Sequence, residues 1–592
     1  PTTKEGWLKV FRSAKEWGLN HLRFHSWCPP KAAFEVADSL GFYLQVELPL
    51  WSLTVGENLE MNQFLYNEAK RILSEYGNHP SFCFLSLGNE LQPDFEFLGG
   101  LLDSVKSLDS RHLYTTTSFT FEKGHGDWPE PHDDFFITQW TKKGWVRGQG
   151  VFDVEMPNFN KDYSASVDSM PVPVITHEIG QYAVYPDLKE IEKYTGVLEP
   201  LNFKGVKQEL ENKNLLEKAD DYLSASGHLA AILYKEEIER AMKTPGISGF
   251  QLLDLHDFPG QGTALVGLLN AFWESKGVAN AEEFRQFSAP VVSLARFSKA
   301  VYKNNEQFTA DIEIANYSSE EINNKNIKWA LTNASGQPLQ EGIIPLTNIK
   351  IGGGNIAGKI SCSLSEVKKA ERLTLRVSIE NSSYKNTWNI WVYPATLTIE
   401  KEEIVATDKL TETQKALAAG KTVLFNPPYQ LCAGLQGKFV PVFWSPVHFP
   451  KQAGTMGLLL DPTHKAFAHF PTEGHTNWQW WSLTTQSRTL VIDSIYQHIT
   501  PLVECVDNFA NNRRLATLFE TNCLNGKLIV CSMDLLNHQD TFPEKKQLLY
   551  SLINYMKSNA FAPVKSISFE ELCSLVKPSS KGKKEETPQS VY

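Results

Sequence analysis

The sequence predicts an α/β fold in three parts. A (β/α)8 TIM barrel apparently lacking its first strand spans 1–291, an all-β sandwich 292–395, and a small α/β domain 396–576, with a disordered tail at 577–592. Three observations lead there. Apolar runs alternate with helical stretches through the N-terminal half, the pattern of a parallel sheet with crossover helices. Near Ser293 the periodicity changes to a strict two-residue alternation. After Ala395 buried-type apolar runs and helices return.

Seven strands are expected in the first part, at 21–26, 42–48, 82–90, 112–118, 135–140, 172–178 and 247–255. Helices fall between most of them; 62–76 and 96–108 place apolar residues at three- and four-residue spacings. Gly246-Ile247-Ser248-Gly249 is a loop signal before the last strand. At the start, Thr2 or Thr3 caps a helix running to about Trp17. That helix reads as the first of the barrel, so the strand before it is expected upstream of residue 1. An open ring of seven strands leaves two unpaired edges, which proteins avoid. The expectation is therefore a piece cut from a longer protein, beginning inside the barrel.

In the second part, Phe308-Thr309-Ala310-Asp311-Ile312-Glu313-Ile314-Ala315-Asn316 alternates cleanly, as do 327–331, 373–379 and 387–392. Turn clusters at Asn333-Ala334-Ser335-Gly336 and Gly352-Gly353-Gly354 separate them, the pattern of an immunoglobulin-like sandwich of about 100 residues. In the third part, strands are expected at 421–425, 456–460, 489–492, 515–519 and 527–531 and helices at 411–419 and 544–557, forming a mostly parallel sheet. The segment 202–231, rich in Lys, Glu, Asn and Leu, is longer than a normal crossover and is read as a solvated helical insertion. The aromatic cluster Asn477-Trp478-Gln479-Trp480-Trp481 is read as core or interface.

Composition narrows the function classes. The chain has 592 residues, 42% of them hydrophobic, enough for several packed cores. No run of 18 apolar residues occurs, so no membrane-spanning helix is expected. The net charge of −11 and the absence of any Arg-rich segment argue against nucleic acid. Of eight cysteines none forms a CxxC pair, so zinc ribbons and thioredoxin chemistry are unsupported; no metal or cofactor is expected.

Two segments carry chemistry. Asn78-His79-Pro80-Ser81-Phe82-Cys83-Phe84-Leu85-Ser86-Leu87-Gly88-Asn89-Glu90 and Val172-Pro173-Val174-Ile175-Thr176-His177-Glu178-Ile179-Gly180 are apolar runs ending in a carboxylate. A single Glu at a strand end usually caps a helix or faces solvent. Two at the C-terminal ends of barrel strands meet at one mouth, where such barrels hold their active sites. Glycosidic bond cleavage uses a carboxylate pair of this kind.

The first segment closely resembles the acid/base motif of glycoside hydrolase family 2, the family of β-galactosidases, β-glucuronidases and β-mannosidases. The second falls where that family places its nucleophile. The resemblance implies Glu90 as acid/base, Glu178 as nucleophile and Asn89 as a ligand of the sugar 2-hydroxyl. In Leu22-Arg23-Phe24-His25-Ser26-Trp27, alternation puts Arg23 and His25 on one face. Arg23 is expected to hold the nucleophile ionised through charge and bidentate hydrogen bonds; His25 is a subsite candidate. Glu47 ends its strand where the family often has an acid. Trp140 stands where many relatives have a Tyr, and its indole N–H can only donate. The last strand, Phe250-Gln251-Leu252-Leu253-Asp254-Leu255, offers Leu where relatives usually have a Trp under the sugar, so Trp27, Trp51 or Trp145 is expected to supply a platform. Asp254 is a further pocket candidate, and His177 is expected to point to the opposite face from Glu178. The third part loosely resembles a glutamine-amidotransferase-like fold; Cys531-Ser532-Met533-Asp534 lacks the flanking glycines of a nucleophile elbow, so it is read as non-catalytic.

The expected function is a retaining exo-β-glycosidase acting on oligo- or polysaccharide, β-galactosidase-like before the other activities, in the periplasm or extracellular space. A catalytically degenerate barrel acting as a carbohydrate-binding or scaffold protein is the alternative, kept open by the departures at Trp140 and in the last strand and by the missing first strand. An inverting hydrolase is a third option, decided by carboxylate separation.

Overall fold

The computed structural model describes residues 1–345, 348–400 and 403–576, and the charged tail from Lys577 lies outside the described residues. All seven strands expected in the first part form. β1 (His21–Arg23), β2 (Tyr43–Glu47), β3 (Phe82–Ser86) and β4 (Leu113–Thr115) make one parallel sheet in chain order. β5 (Phe136–Thr138), β6 (Val174–Ile179) and β7 (Ile247–Leu252) make a second. Asp134 bridges the two, its amide donating to the Tyr114 carbonyl at 2.8 Å.

Helix α1 (Lys4–Glu16) precedes β1, and α2 (Lys31–Leu40), α3 (Leu59–Tyr76) and α4 (Phe95–Leu108) lie between successive strands. Each long one starts at a side-chain cap: Thr3 accepts from the Gly6 amide, Asn58 from Met61 and Asp94 from Glu96. Trp7, Val10 and Phe11 of α1, Phe34 of α2 and Leu65 and Ile72 of α3 bury one face each against Leu44, Val46 and Leu85 of the sheet.

Among the described residues no ladder joins β1 to β7. A groove of about 480 Å³ runs along this seam, floored by Trp7 and Val10 of α1 and walled by Leu22, Phe24, Phe250 and Leu252. Only side chains cross the interior here: Gln251 Nε2 donates to Gln45 Oε1 at 2.7 Å.

The insertion is helical, as α5 (Leu201–Asn212) and α6 (Ala219–Met242); α5 keeps a solvated face, as expected, but α6 does not. Phe203, Val206, Leu210 and Tyr222 pack with Val442, Met456, Val506 and Phe509 of the third part. α6 is buried nearly all round because its far side meets the sandwich, where Asn386 Nδ2 and Trp388 Nε1 each donate to Glu239 at 2.8 Å.

The sandwich has a three-stranded sheet, Val291–Arg296, Gln307–Asn316 and Gly352–Ser363, and a five-stranded one centred on Glu371–Ile379. Gly352-Gly353-Gly354, expected as a turn, instead opens a strand. Gly352 pairs with Asn316 beside register shifts, and positive φ at Gly352 and Gly354 accommodates that irregularity.

The third part corrects the expectation of a mostly parallel sheet. Among the described residues its nine strands include a parallel trio, Ile404–Thr407, Thr422–Phe425 and Gly526–Cys531, but most pairings are antiparallel. The reason is local. Leu515–Cys523 and Gly526–Cys531 are joined by Leu524-Asn525 alone, and a two-residue connection permits only a hairpin. Trp480 and Trp481 are buried, and Trp481 Nε1 donates to the Phe152 carbonyl at 2.7 Å, so this aromatic cluster is an interface with the first part.

Candidate active site

Glu90 lies four residues past β3 and Glu178 inside the last turn of β6. Each depends on a neighbouring glycine. Gly88 has φ +156°, and a Cβ there would lie 2.4 Å from the Leu50 carbonyl oxygen. Gly180 has φ +80°, and a Cβ would lie 2.0 Å from the Tyr234 ring. Both glutamates adopt left-handed backbone, φ +52° at Glu90 and +49° at Glu178. Such conformations cost a non-glycine residue about 1–3 kcal/mol and persist where surrounding structure dictates them. Here Glu90 N–H donates to the Ser118 carbonyl at 3.3 Å, and Gln181 Nε2 donates to the Glu178 carbonyl at 2.9 Å.

The left-handed turn at Glu178 also breaks strand alternation. His177, expected on the opposite face, places Nε2 3.5 Å from Glu178 Oε1 and is fully buried. Glu90, His177 and Glu178 each bring one ligand-type atom within 4.8 Å of the others, so the two carboxylates face each other across a gap of that order.

Arg23 organises the floor. Its Nη1 donates to Glu178 Oε1 at 2.8 Å, its Nη2 to Asn89 Oδ1 at 2.6 Å and its Nε to Glu47 Oε1 at 2.6 Å. The two-point contact expected with the nucleophile is made with Glu47 instead, Nη2 lying 3.4 Å from Glu47 Oε2. Glu47, fully buried at the end of β2, also accepts from Ser26 Oγ at 2.8 Å, and Ser118 Oγ completes its set. It is a buried counter-charge for Arg23 beneath the cavity.

The two carboxyls are driven apart. Burial, reinforced by the negative Glu178, pushes the Glu90 carboxyl up to about 7. Burial acts the same way on Glu178, but His177 and Arg23 overcome it and hold that carboxyl at about 2. His177 is itself driven down to about 3 by burial, so near neutrality the fixed charge of Arg23 is what keeps Glu178 ionised.

A cavity of about 520 Å³ opens over the pair. His25, Asn89, Glu90 and Glu178 line it, together with Trp51, whose Nε1 donates to Glu90 Oε2 at 3.1 Å. Four sequence candidates do not line it: Arg23 and Glu47 lie beneath it, and Trp140 and Asp254 lie elsewhere. Trp140 sits behind Phe121 and Phe119, packed edge-to-face on Phe119 with centroids 4.6 Å apart. Asp254 faces the seam groove, its Oδ2 3.0 Å from His256 Nδ1. Of the platform candidates, Trp51 lines the cavity, Trp27 the groove, and Trp145 packs on Trp140.

Residues 405–577 match a family described as a domain of unknown function (DUF8487), and residues 306–394 match another (DUF8488). No curated protein matches the chain. Among solved structures it is similar to a β-D-mannosidase from Dictyoglomus thermophilum, at 15% identity and TM-score 0.47 over 68% of this chain and 50% of that one. It is also similar to the exo-chitosanase CsxA of Amycolatopsis orientalis, at 13% identity and TM-score 0.43 over 68% and 48%. A β-glucuronidase from Parabacteroides merdae follows, at 13% and 0.34 over 68% and 47%. The chain thus spans about half the length of these proteins.

The far wall of the cavity is one that sequence reasoning missed. Phe443, Trp444, His448 and Phe449 of the third part line it, beside Leu253 and Phe258. The only local sign was the aromatic pair in Pro441-Val442-Phe443-Trp444-Ser445-Pro446, with nothing to link it to Glu178.

Proposed function

We propose that the chain carries the catalytic site of a retaining exo-β-glycosidase acting on terminal β-linked sugars of oligo- or polysaccharides. The observation that carries this reading is the facing pair Glu90 and Glu178, with oxygens within 4.8 Å and carboxyls displaced in opposite directions. Retaining glycosidases hold their carboxyls about 5–5.5 Å apart, and inverting ones about 6.5–9.5 Å apart, leaving room for a water. Titratable pairs pushed apart in this way divide into acid and nucleophile.

In the first step a Glu178 oxygen attacks the anomeric carbon and the bond to the leaving oxygen breaks. Glu90 passes its proton to that oxygen, and a glycosyl ester forms on Glu178. In the second step water attacks the anomeric carbon, Glu90 takes the water's proton, and the ester bond breaks to return Glu178 as a carboxylate. Asn89, fixed by Arg23, is placed to bind a sugar hydroxyl, and His25 lies at the cavity rim. The two parallel sheets correspond in this reading to seven strands of a (β/α)8 barrel, with an eighth position at the seam. A periplasmic or extracellular site of action suits such substrates; no helix among the described residues is long and apolar enough to cross a membrane.

Incubation with 2,4-dinitrophenyl 2-deoxy-2-fluoro-β-glycosides tests the reading, beginning with the galactoside and extending to mannoside and glucoside. The expected result is a stoichiometric mass increase on the peptide containing Glu178 and, with the parent 4-nitrophenyl β-glycosides, a β-anomer as first product by proton NMR. Release of the α-anomer, or absence of both turnover and labelling across the panel, overturns it.

A further inference from the structure

We infer that Phe443, Trp444, His448 and Phe449 of the third part form the sugar-facing wall of the active site, with Trp444 as the specificity-determining platform for the glycone. The glycone is the sugar whose anomeric carbon Glu178 attacks, so this inference rests on the glycosidase reading. It gives a role to a region otherwise described only as a domain of unknown function.

The wall is built in rather than laid against the barrel. The Trp444 amide donates to the Gln181 carbonyl at 3.0 Å, and the Ala183 amide to the Val442 carbonyl at 3.1 Å, with Tyr182 and Phe443 paired antiparallel between them. Gln181 in turn bonds the Glu178 carbonyl. Trp444 is therefore one residue removed from the nucleophile through hydrogen bonds, although distant in sequence. On its other side Gln452 clamps Phe443, accepting from its amide at 2.6 Å and donating to its carbonyl at 3.0 Å, and Ser445 Oγ donates to the Gly262 carbonyl.

Backbone strain gives an independent pointer. Trp444 has φ +48°, the left-handed region, like Glu90 and Glu178 in the same cavity. A bulky aromatic residue is a genuine outlier there, and such outliers cluster at ligand sites. Leu253 of the last-strand region also lines the cavity without presenting a ring, and Trp444 and Phe449 bring aromatic rings to the same cavity from the third part. The axial C–H face of a β-pyranose is apolar, and an aromatic wall with a few converging polar groups suits it. The two tryptophans divide the site: Trp444 is tied to the strand of Glu178 and so to the glycone, while Trp51 is bonded to Glu90 and so to the leaving group.

The test uses the full chain and three variants, Trp444→Leu, Phe449→Ala and Val447→Ala. Val447 is exposed on the same loop, does not line the cavity and serves as control. Two quantities are read: KM and kcat on the 4-nitrophenyl β-glycoside that the wild type prefers, and calorimetric affinity for the iminosugar of matching configuration. That probe (1-deoxynojirimycin or its galacto or manno isomer) mimics the glycone and carries no leaving group. Trp444→Leu keeps apolar volume but removes the flat face; it should weaken iminosugar binding and raise KM by about tenfold, with kcat less affected. Phe449→Ala, at a less buried position, should act in the same direction by roughly threefold, and Val447→Ala should match the wild type. If Trp444→Leu fails to fold by thermal melting, Phe449→Ala decides. An active wild type whose wall variants bind and react unchanged overturns this inference alone. A wild type that neither turns over the panel nor binds any iminosugar overturns the glycosidase reading and this inference together.

Discussion

Glu90 and Glu178 face each other with oxygens within 4.8 Å, and Arg23 lies against only one side of the pair, donating to Glu178 at 2.8 Å. That asymmetry accompanies the opposite displacement of otherwise similar carboxyls, upward at Glu90 and downward at Glu178, on which the proposed roles of acid and nucleophile rest. Glu178→Ala should reduce turnover by at least about 10⁴-fold on every substrate. Glu90→Ala should lose about 10²–10⁴-fold on poor leaving groups but far less on 2,4-dinitrophenyl glycosides, which need little protonation. Azide should restore Glu178→Gly and yield an α-glycosyl azide. Equal losses that azide does not rescue would remove the assigned roles.

The pH profile follows from the same pair. Glu90 must be protonated to act as acid, and its carboxyl stands at about 7. kcat/KM should therefore fall as pH rises through about 7, approaching a tenfold loss per pH unit above it. Glu178 must be ionised, and Arg23 holds it below the usual carboxylate range, so no acid limb should be seen down to mildly acidic pH. Replacing Glu178 by Gln removes the negative neighbour, which should lower the Glu90 value, observable by carbon-13 NMR titration. In the proposed mechanism the same fall on forming the glycosyl ester would turn Glu90 from acid into base. A Glu90 titration unmoved by Glu178→Gln would show that burial alone raises it.

Arg23 has an 8% exposed side chain between Glu47 and Glu178, themselves 0% and 8% exposed. Removing one partner from a buried charge cluster leaves uncompensated charge and costs about 3–5 kcal/mol. Arg23→Met should lose that much in urea unfolding at neutral pH, with the loss shrinking in acid as the stranded carboxyls become protonated. Arg23→Lys should recover little, because one ammonium cannot serve Glu47, Asn89 and Glu178 together. Wild-type stability in Arg23→Met would contradict the hub described above.

Much of this was legible because it is local. Apolar runs ending in Asn89-Glu90 and His177-Glu178 locate both carboxylates, and Arg23 and Glu47 close β1 and β2, whereas His25 lies in the turn beyond β1, which alternation does not describe. What was illegible depends on contacts between distant segments. Trp444 reaches the cavity only because its backbone pairs with Gln181, which no periodicity encodes. Trp140 was displaced by Phe121, whose ring takes the cavity face. His177 was misdirected because a left-handed Glu178 cannot be read from composition. The antiparallel third sheet was legible in principle: the two-residue gap Leu524-Asn525 is a hairpin signal, overlooked because both flanking runs resemble buried parallel strands.

The seam between β1 and β7 should behave as an open edge. Phe24 N–H donates to the Gln45 carbonyl, so the Arg23 N–H, one residue earlier, points away from β2 and into the groove. On the other bank Leu253 N–H donates to the Ile179 carbonyl, so the Leu252 N–H points into the same groove. Neither has a strand to bond, whereas Leu44 lies between two paired neighbours in β2. In native-state hydrogen exchange Arg23 and Leu252 should exchange orders of magnitude faster than Leu44, at the low end of local stability. Arg23 and the adjacent His25 belong to this bank, so a loose seam would reach the site that holds Glu178; geometry at such sites tolerates only about 0.5 Å of error. A peptide or segment that pairs in the groove should slow exchange at Arg23 and Leu252 together and raise kcat. Protection at both amides equal to that of Leu44 in this chain alone would show the seam already closed, and the link from seam to catalysis would fail.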